Sequence, residues 1–246
     1  VDTLFKDDSG TVQKYADDAY KTAGLSANAY MSQVTSFSAS LLQSLGGDTA
    51  AAADAANQAV IDMADNANKM GTSIGSIQDA YQGFAKQNYT MLDNLKLGYG
   101  GTKTEMERLL ADATKFSGIE YNVDNLADVY EAIHVIQTEM GITGTTAEEA
   151  ASTIEGSTAA MKGAWSNWLA EIGKTDGDVA GATKKLTDSI VVAFKNVVPR
   201  VGEIMRGLAA SIPVLWEGLK AELPATFDPL IAKIEAVVGW FNGLSD

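Results

Sequence analysis

Residues 26–71 read SANAYMSQVTSFSASLLQSLGG (Ser26–Gly47) and then DTAAAADAANQAVIDMADNANKMG (Asp48–Gly71). In the first string Tyr30, Val34, Phe37, Leu41 and Leu45 step by three or four, the spacing that gathers side chains on one helical face. Ser26 stands where an N-cap hydroxyl belongs, and Gly46-Gly47 where a helix must stop. In the second string Asp48 supplies the cap and Gly71 the C-terminal glycine. Ala52, Ala56, Val60, Met63, Ala67 and Met70 form the stripe between them. A stripe this rich in alanine is thin, so a neighbouring helix can come close.

The same period runs outward in both directions. Ser76 predicts a helix start before Ile77, Tyr81 and Phe84. Gly98–Gly101 predicts a flexible break, and Thr104 with Glu107 a capping box ahead of Met106, Leu109, Leu110 and Ala113. Leu126, Tyr130, Ile133, Gln137 and Met140 give another stripe, closed by Gly141. Thr145 and Glu148 suggest a second capping box, opening one helix that carries Ala150, Ile154, Met161, Trp165, Trp168 and Ile172. After Gly173 the polar stretch Lys174–Gly181 reads as a linker or exposed turn. Then follows a long seam of Leu186, Ile190, Phe194, Val197, Val201, Ile204, Leu208, Ile212, Leu215 and Leu219. Its spacing resembles a coiled-coil seam, with Pro199 and Pro213 expected to kink or break it. Asp228-Pro229 predicts a last helix with Leu230, Ile234, Val237, Val238 and Phe241. No stretch alternates apolar and polar residues as a strand would. The expected fold is all-α: a multi-helix bundle or array over residues 1–173, and an apolar, amphipathic, coiled-coil-like helical segment over residues 174–246.

The 246 residues carry 18 basic and 32 acidic side chains, a formal charge of −14. Such a surface repels phosphate backbones, so no direct nucleic-acid binding is expected of this segment. The absence of Cys removes thiolate nucleophiles, disulfides and Cys-based zinc sites, and fits a reducing compartment. Val1 is followed by no basic-then-apolar leader, and the chain reads as a fragment of something longer. Residues 22–47 lack charge but are full of Ser, Gln, Thr and Asn. The apolar runs near the C-terminus are interrupted by Lys195, Arg206, Glu217 and Lys233, so no membrane span is written.

Three motifs invite chemistry. Gly98–Thr104, GYGGTKT, has the glycines and lysine of a phosphate loop, but Thr102 separates Gly101 from Lys103 and no strand precedes it. A helix-connecting turn is the simpler reading. Glu131 and His134 have the Glu-x-x-His spacing of di-iron bundles. Those sites need two such pairs, and His134 is the only histidine here. Trp216-Glu217-Gly218 resembles the turn of small secreted helical hairpins, which are far shorter chains. Trp165, Trp168, Trp216 and Trp240 read more simply as core or interface anchors. No catalytic, cofactor-binding or metal residue is assigned, and no enzyme activity is expected.

Longer strings carry a resemblance. Lys21–Gly47 (KTAGLSANAYMSQVTSFSASLLQSLGG), Asp62–Gly71 (DMADNANKMG), Ala80–Ala113 (AYQGFAKQNYTMLDNLKLGYGGTKTEMERLLADA) and Glu139–Trp165 (EMGITGTTAEEAASTIEGSTAAMKGAW) are similar to the core region of phage tail tape measure proteins from phages and prophages of Gram-positive bacteria. The likeness covers roughly residues 15–173 and is compositional beyond them. It implies a structural role: a long helical chain in the tail tube lumen that sets tail length and scaffolds tail assembly in the host cytoplasm. The implied partners are the major tail tube protein, tail assembly chaperones, distal tail proteins and further copies of the chain as a homo-oligomer. Release on infection, with membrane contact and help to the entering genome, is also implied. The lysozyme or peptidase domains of some members have no counterpart in these residues.

Two other classes compete. A secreted or membrane-active helical protein would insert Ile190–Leu219 and Leu230–Phe241 into a bilayer, and a ferritin-like enzyme would need metal.

Overall fold

The computed structural model describes residues 1–221. Among these the regular structure is entirely helical. The elements are α1 (Asp2–Phe5), α2 (Ser9–Thr22), α3 (Ala27–Ser44), α4 (Thr49–Met70), α5 (Ile74–Phe84), α6 (Lys103–Ser117), α7 (Leu126–Glu139), α8 (Thr145–Ser152), α9 (Ile154–Ile172) and α10 (Val179–Ala221). Single 3₁₀ turns cover Lys6–Asp8 and Leu92–Leu95. The helix predicted over Leu230–Phe241 lies outside the described residues.

Val1–Ala193 form one compact unit, and a second begins at Phe194. The first is organised around α4, which packs against α1, α2, α3, α5, α7 and α8. The alanines explain this: Ala52, Ala53, Ala56 and Ala59 are all fully buried, and only a methyl group separates the α4 backbone from its neighbours. The larger side chains come from the surrounding helices. Tyr30, Val34, Phe37 and Leu41 of α3, Ile77, Tyr81 and Phe84 of α5, Met106 and Leu109 of α6 and Ile133 of α7 are buried as their stripes predict. Phe37 meets Tyr130 edge to face at 5.5 Å, and Tyr81 lies 5.0 Å from Tyr130.

Several ends form as read. Ser26 Oγ accepts from the Ala29 amide, Asp48 Oδ1 accepts from Ala51, and Gly71 closes α4 in the left-handed region at φ 63°. Others move. Ser73, not Ser76, caps α5, and its hydroxyl accepts from the Ser76 amide. Thr102, not Thr104, caps α6, and its box partner is Glu105, whose Oε2 reaches back to the Gly100 amide. The pattern Thr-x-x-Glu occurs twice in overlapping registers, and the earlier one lets Met106 join the core in the first turn.

The Gly98–Gly101 turn is tied down. Arg108 donates to the Gly98 carbonyl and stacks on Tyr99, while Tyr99 donates to Asp112. Gly101 is required there, because a Cβ would sit 2.2 Å from the Thr90 carbonyl oxygen.

The helix expected from Thr145 to Gly173 is two helices. Thr153 is extended at φ −111°, ψ 158° and caps α9 through the Gly156 amide. At Gly156 a Cβ would lie 2.4 Å from the Glu149 carbonyl, so the turn closes only on glycine. The buried face of α9 is also not the one the large residues mark. Ser157, Ala160, Gly163 and Ala164 face inward. A Cβ on Gly163 would come within 2.8 Å of Tyr20 Cβ, which measures how closely α9 lies on α2.

At its start α10 adds Ala182, Leu186, Ser189 and Ala193 to the buried surface, with Leu186 and Ile190 against Tyr20, Ala160 and Ala164. The opening of the long seam is therefore internal core. α10 is not broken at Pro199 or Pro213 as the sequence predicts. The carbonyl that Pro199 leaves without an amide belongs to exposed Lys195, where water can satisfy it.

Candidate functional site

Lys103, the lysine of the glycine-rich turn, extends at the surface to Asp124 at 3.2 Å. The Gly100 amide is taken by Glu105 and the Gly98 carbonyl by Arg108. The turn is a helix connection whose polar groups point at each other, and it offers no ring of free amides to a phosphate.

His134 does not pair with Glu131, which is exposed. Its partner is Asp62 of α4, whose side chain is 1% accessible. Asp62 Oδ1 accepts from His134 Nδ1 at 2.9 Å and from Gln58 Nε2 at 3.0 Å. Burial pushes the Asp62 carboxyl above its ordinary range, outweighing the two bonds that favour its charge. The bond to Asp62 in turn lifts His134, against the opposing effect of its partial burial.

One turn along α4, Asp65 is equally buried and faces the junction of α7 and α8. Its Oδ2 accepts from the Gly144 amide at 2.6 Å and its Oδ1 from the Thr146 amide at 2.8 Å. The Thr145–Glu148 box does not form. Gly144 is the N-cap residue in a left-handed conformation, Thr145 Oγ1 turns back to the Ile142 carbonyl, and the cap is supplied by Asp65. Asp62, Asp65, Gln58 and His134 thus bring together residues that no local motif links. Among the described residues no three His, Asp or Glu side chains converge as a metal would need.

A cleft of about 350 Å³ opens between α2, α3, α9 and α10. Its charges answer one another: Lys185 faces Asp17 at 3.6 Å, Lys174 pairs with Glu171, and Asp178 accepts from Gly181. Tyr20 contributes to the wall, and its hydroxyl is sealed from solvent. Charges already paired leave little to bind a ligand.

The feature that stands apart is the outer face of α9. Ile154, Trp165, Leu169 and Ile172 are exposed along it, with half-buried Met161 and Trp168 at its edge. Trp165 is 49% exposed, Leu169 50% and Ile172 48%. Trp165 and Trp168 lie 5.1 Å apart, and the Trp168 indole donates to Thr183 at 2.9 Å, which holds the pair upright. The small inner face brings α9 close to α2; Trp168 packs against the buried cluster of Tyr20, Ala160, Ala164 and Leu186, while Ile154, Trp165, Leu169 and Ile172 stay exposed. An apolar row of this kind, anchored by Trp, has the composition of a protein contact surface. The sequence marked these tryptophans as core or interface anchors; their exposure assigns Trp165 to the surface. Among the described residues no helix is long and apolar enough to cross a membrane. Compared with protein-family models, curated proteins and solved structures, the chain matches none of them.

Proposed function

We propose that this chain is a segment of a phage tail tape measure protein, a structural scaffold and not an enzyme. The observation that carries the reading is the outer face of α9, where Ile154, Trp165, Leu169 and Ile172 are exposed while Ser157, Ala160, Gly163 and Ala164 face the core. A chain whose work is contact with other chains needs such a row, and one whose work is chemistry needs convergent polar groups in a cleft. The strings quoted above, spread over roughly residues 15–173, supply the family. The partners in this reading are the major tail tube protein, tail assembly chaperones and distal tail proteins, with further copies of the chain. Its place is the tail tube lumen after assembly and the host cytoplasm before it.

The test is tail length. In the gene that encodes this chain, an in-frame deletion of residues 27–117 is expected to shorten the assembled tail, by up to about 1.5 Å per residue if the segment lies extended as helix. Tails of unchanged length would overturn the ruler reading. Binding of the purified chain to neutral vesicles would instead favour the membrane-active alternative.

A further inference from the structure

Asp62 and Asp65 fasten one continuous stretch of chain to α4. Asp62 holds His134, in the second half of α7, and Asp65 holds the Gly144 and Thr146 amides at the start of α8. Residues 134–146 are therefore pinned at both ends by carboxylates with 1% exposure. One of the two pins is the only imidazole in the chain.

We propose that the Asp62–His134 pair is a pH-sensitive latch: with His134 protonated the end of α7 and the start of α8 are held on α4, and with it neutral this stretch opens more readily. Every charged group found to act on His134 is an acid. Asp62 and Asp65 face it from α4, and Glu131 lies on its own helix. α3, which also packs on α7, carries no Asp, Glu, Lys, Arg or His; its one ionisable side chain is Tyr30, whose phenol burial holds in the neutral form. The cations of α6 are taken by surface pairs, Arg108 with Glu105, Lys115 with Asp112 and Lys103 with Asp124, and its remaining charge, Glu107, is exposed. The other polar group at His134 Nδ1 is neutral, the Gln58 amide nitrogen at 3.1 Å, which also donates to Asp62.

Losing that proton leaves Asp62 a buried carboxylate with neutral donors only, an arrangement that favours any opening which admits water. His134 has 25% of its side chain exposed, so protons reach it without unfolding. The sign follows from the raised imidazole value. The hold is fully present below the unfolded value of 6.5 and is lost as pH rises through the raised folded one, so the window lies above 6.5.

The inference is independent of the tail reading and is tested on the full chain by hydrogen exchange at about pH 6 and about pH 8.5. Rates are divided by the intrinsic chemical rate and compared with those of α2 and α3. Protection of residues 134–148 is expected to fall by a factor of about three to ten at the higher pH, with α2 and α3 unchanged. In His134→Gln this difference disappears. The double variant Asp62→Asn/His134→Gln replaces the ion pair by two amides. It is expected to fold and to show no pH dependence, which keeps the test decisive if the single variant is unstable. Equal protection at both pH values in the unaltered chain, or a pH dependence that survives in either variant, overturns the latch.

Discussion

Asp65 turns both of its carboxyl oxygens to backbone amides that belong to another helix. Both bonds are short and the carboxylate is out of water, so Asp65→Ala removes a cap and leaves the Gly144 and Thr146 amides, exposed and half-buried respectively, without it. The expected cost is about 2–3 kcal/mol, read as a lowered denaturant midpoint with an unchanged slope. Asp65→Asn keeps an acceptor for one amide and should cost about half as much. His134→Ala is expected to cost about 2–4 kcal/mol at pH 6, because it strands Asp62, and less at pH 8.5, where the imidazole is already neutral. A cost independent of pH would contradict the assignment of the pair. None of this was legible beforehand. His134 invites pairing with Glu131 because both lie within one turn, while its partner is 72 residues away on a helix whose sequence signal is its apolar stripe. Periodicity finds faces, and it does not say which faces meet.

Among the helices, α9 shows how period and burial come apart. The large residues at 154, 161, 165, 168 and 172 define a stripe that any reading by hydrophobicity would turn inward. The fold turns the face of Ser157, Ala160, Gly163 and Ala164 inward, because glycine and alanine let α2 approach closely, and of the stripe Ile154, Trp165 and Ile172 are left exposed while Trp168 packs at the core's edge. Gly163→Ala is therefore expected to destabilise by about 1–3 kcal/mol, an overpacking cost at a site where alanine would ordinarily favour a helix. Trp165→Ser with Leu169→Ser should leave the thermal midpoint within a few degrees and abolish whatever association the outer face supports. A collapse in stability instead would mean the row is core. The caps at Ser26, Asp48 and Gly71 were readable because each is local. The break at Thr153 was missed because two short helices in series carry one continuous stripe.

For the chain as a whole, the all-helical class was plain from periodicity and caps, whereas the order of packing around α4 was not. The extent of the compact unit also matters for any shortened form. Leu186 and Ile190 cover Tyr20, Ala160 and Ala164, so a chain ending near Gly173 would expose that cluster and unfold more easily than one ending at Ala193. Beyond Ala193 the exposed Phe194, Val198 and Val201 continue at three- and four-residue spacing. Light scattering should find the full chain associating and the chain ending at Ala193 associating less. If both are monomers at high micromolar concentration, the seam beyond Ala193 has no partner in another copy.

α8 begins on a signal that is not its own. Its first amides are received by an acid 79 and 81 residues earlier in the chain. As the polypeptide leaves the ribosome, α4 and its waiting carboxylate precede the segment they will cap, so the template is standing before its client is made. A product shortened from the N-terminal side past Met70 would still contain every residue of α8 and would lack the instruction to start it.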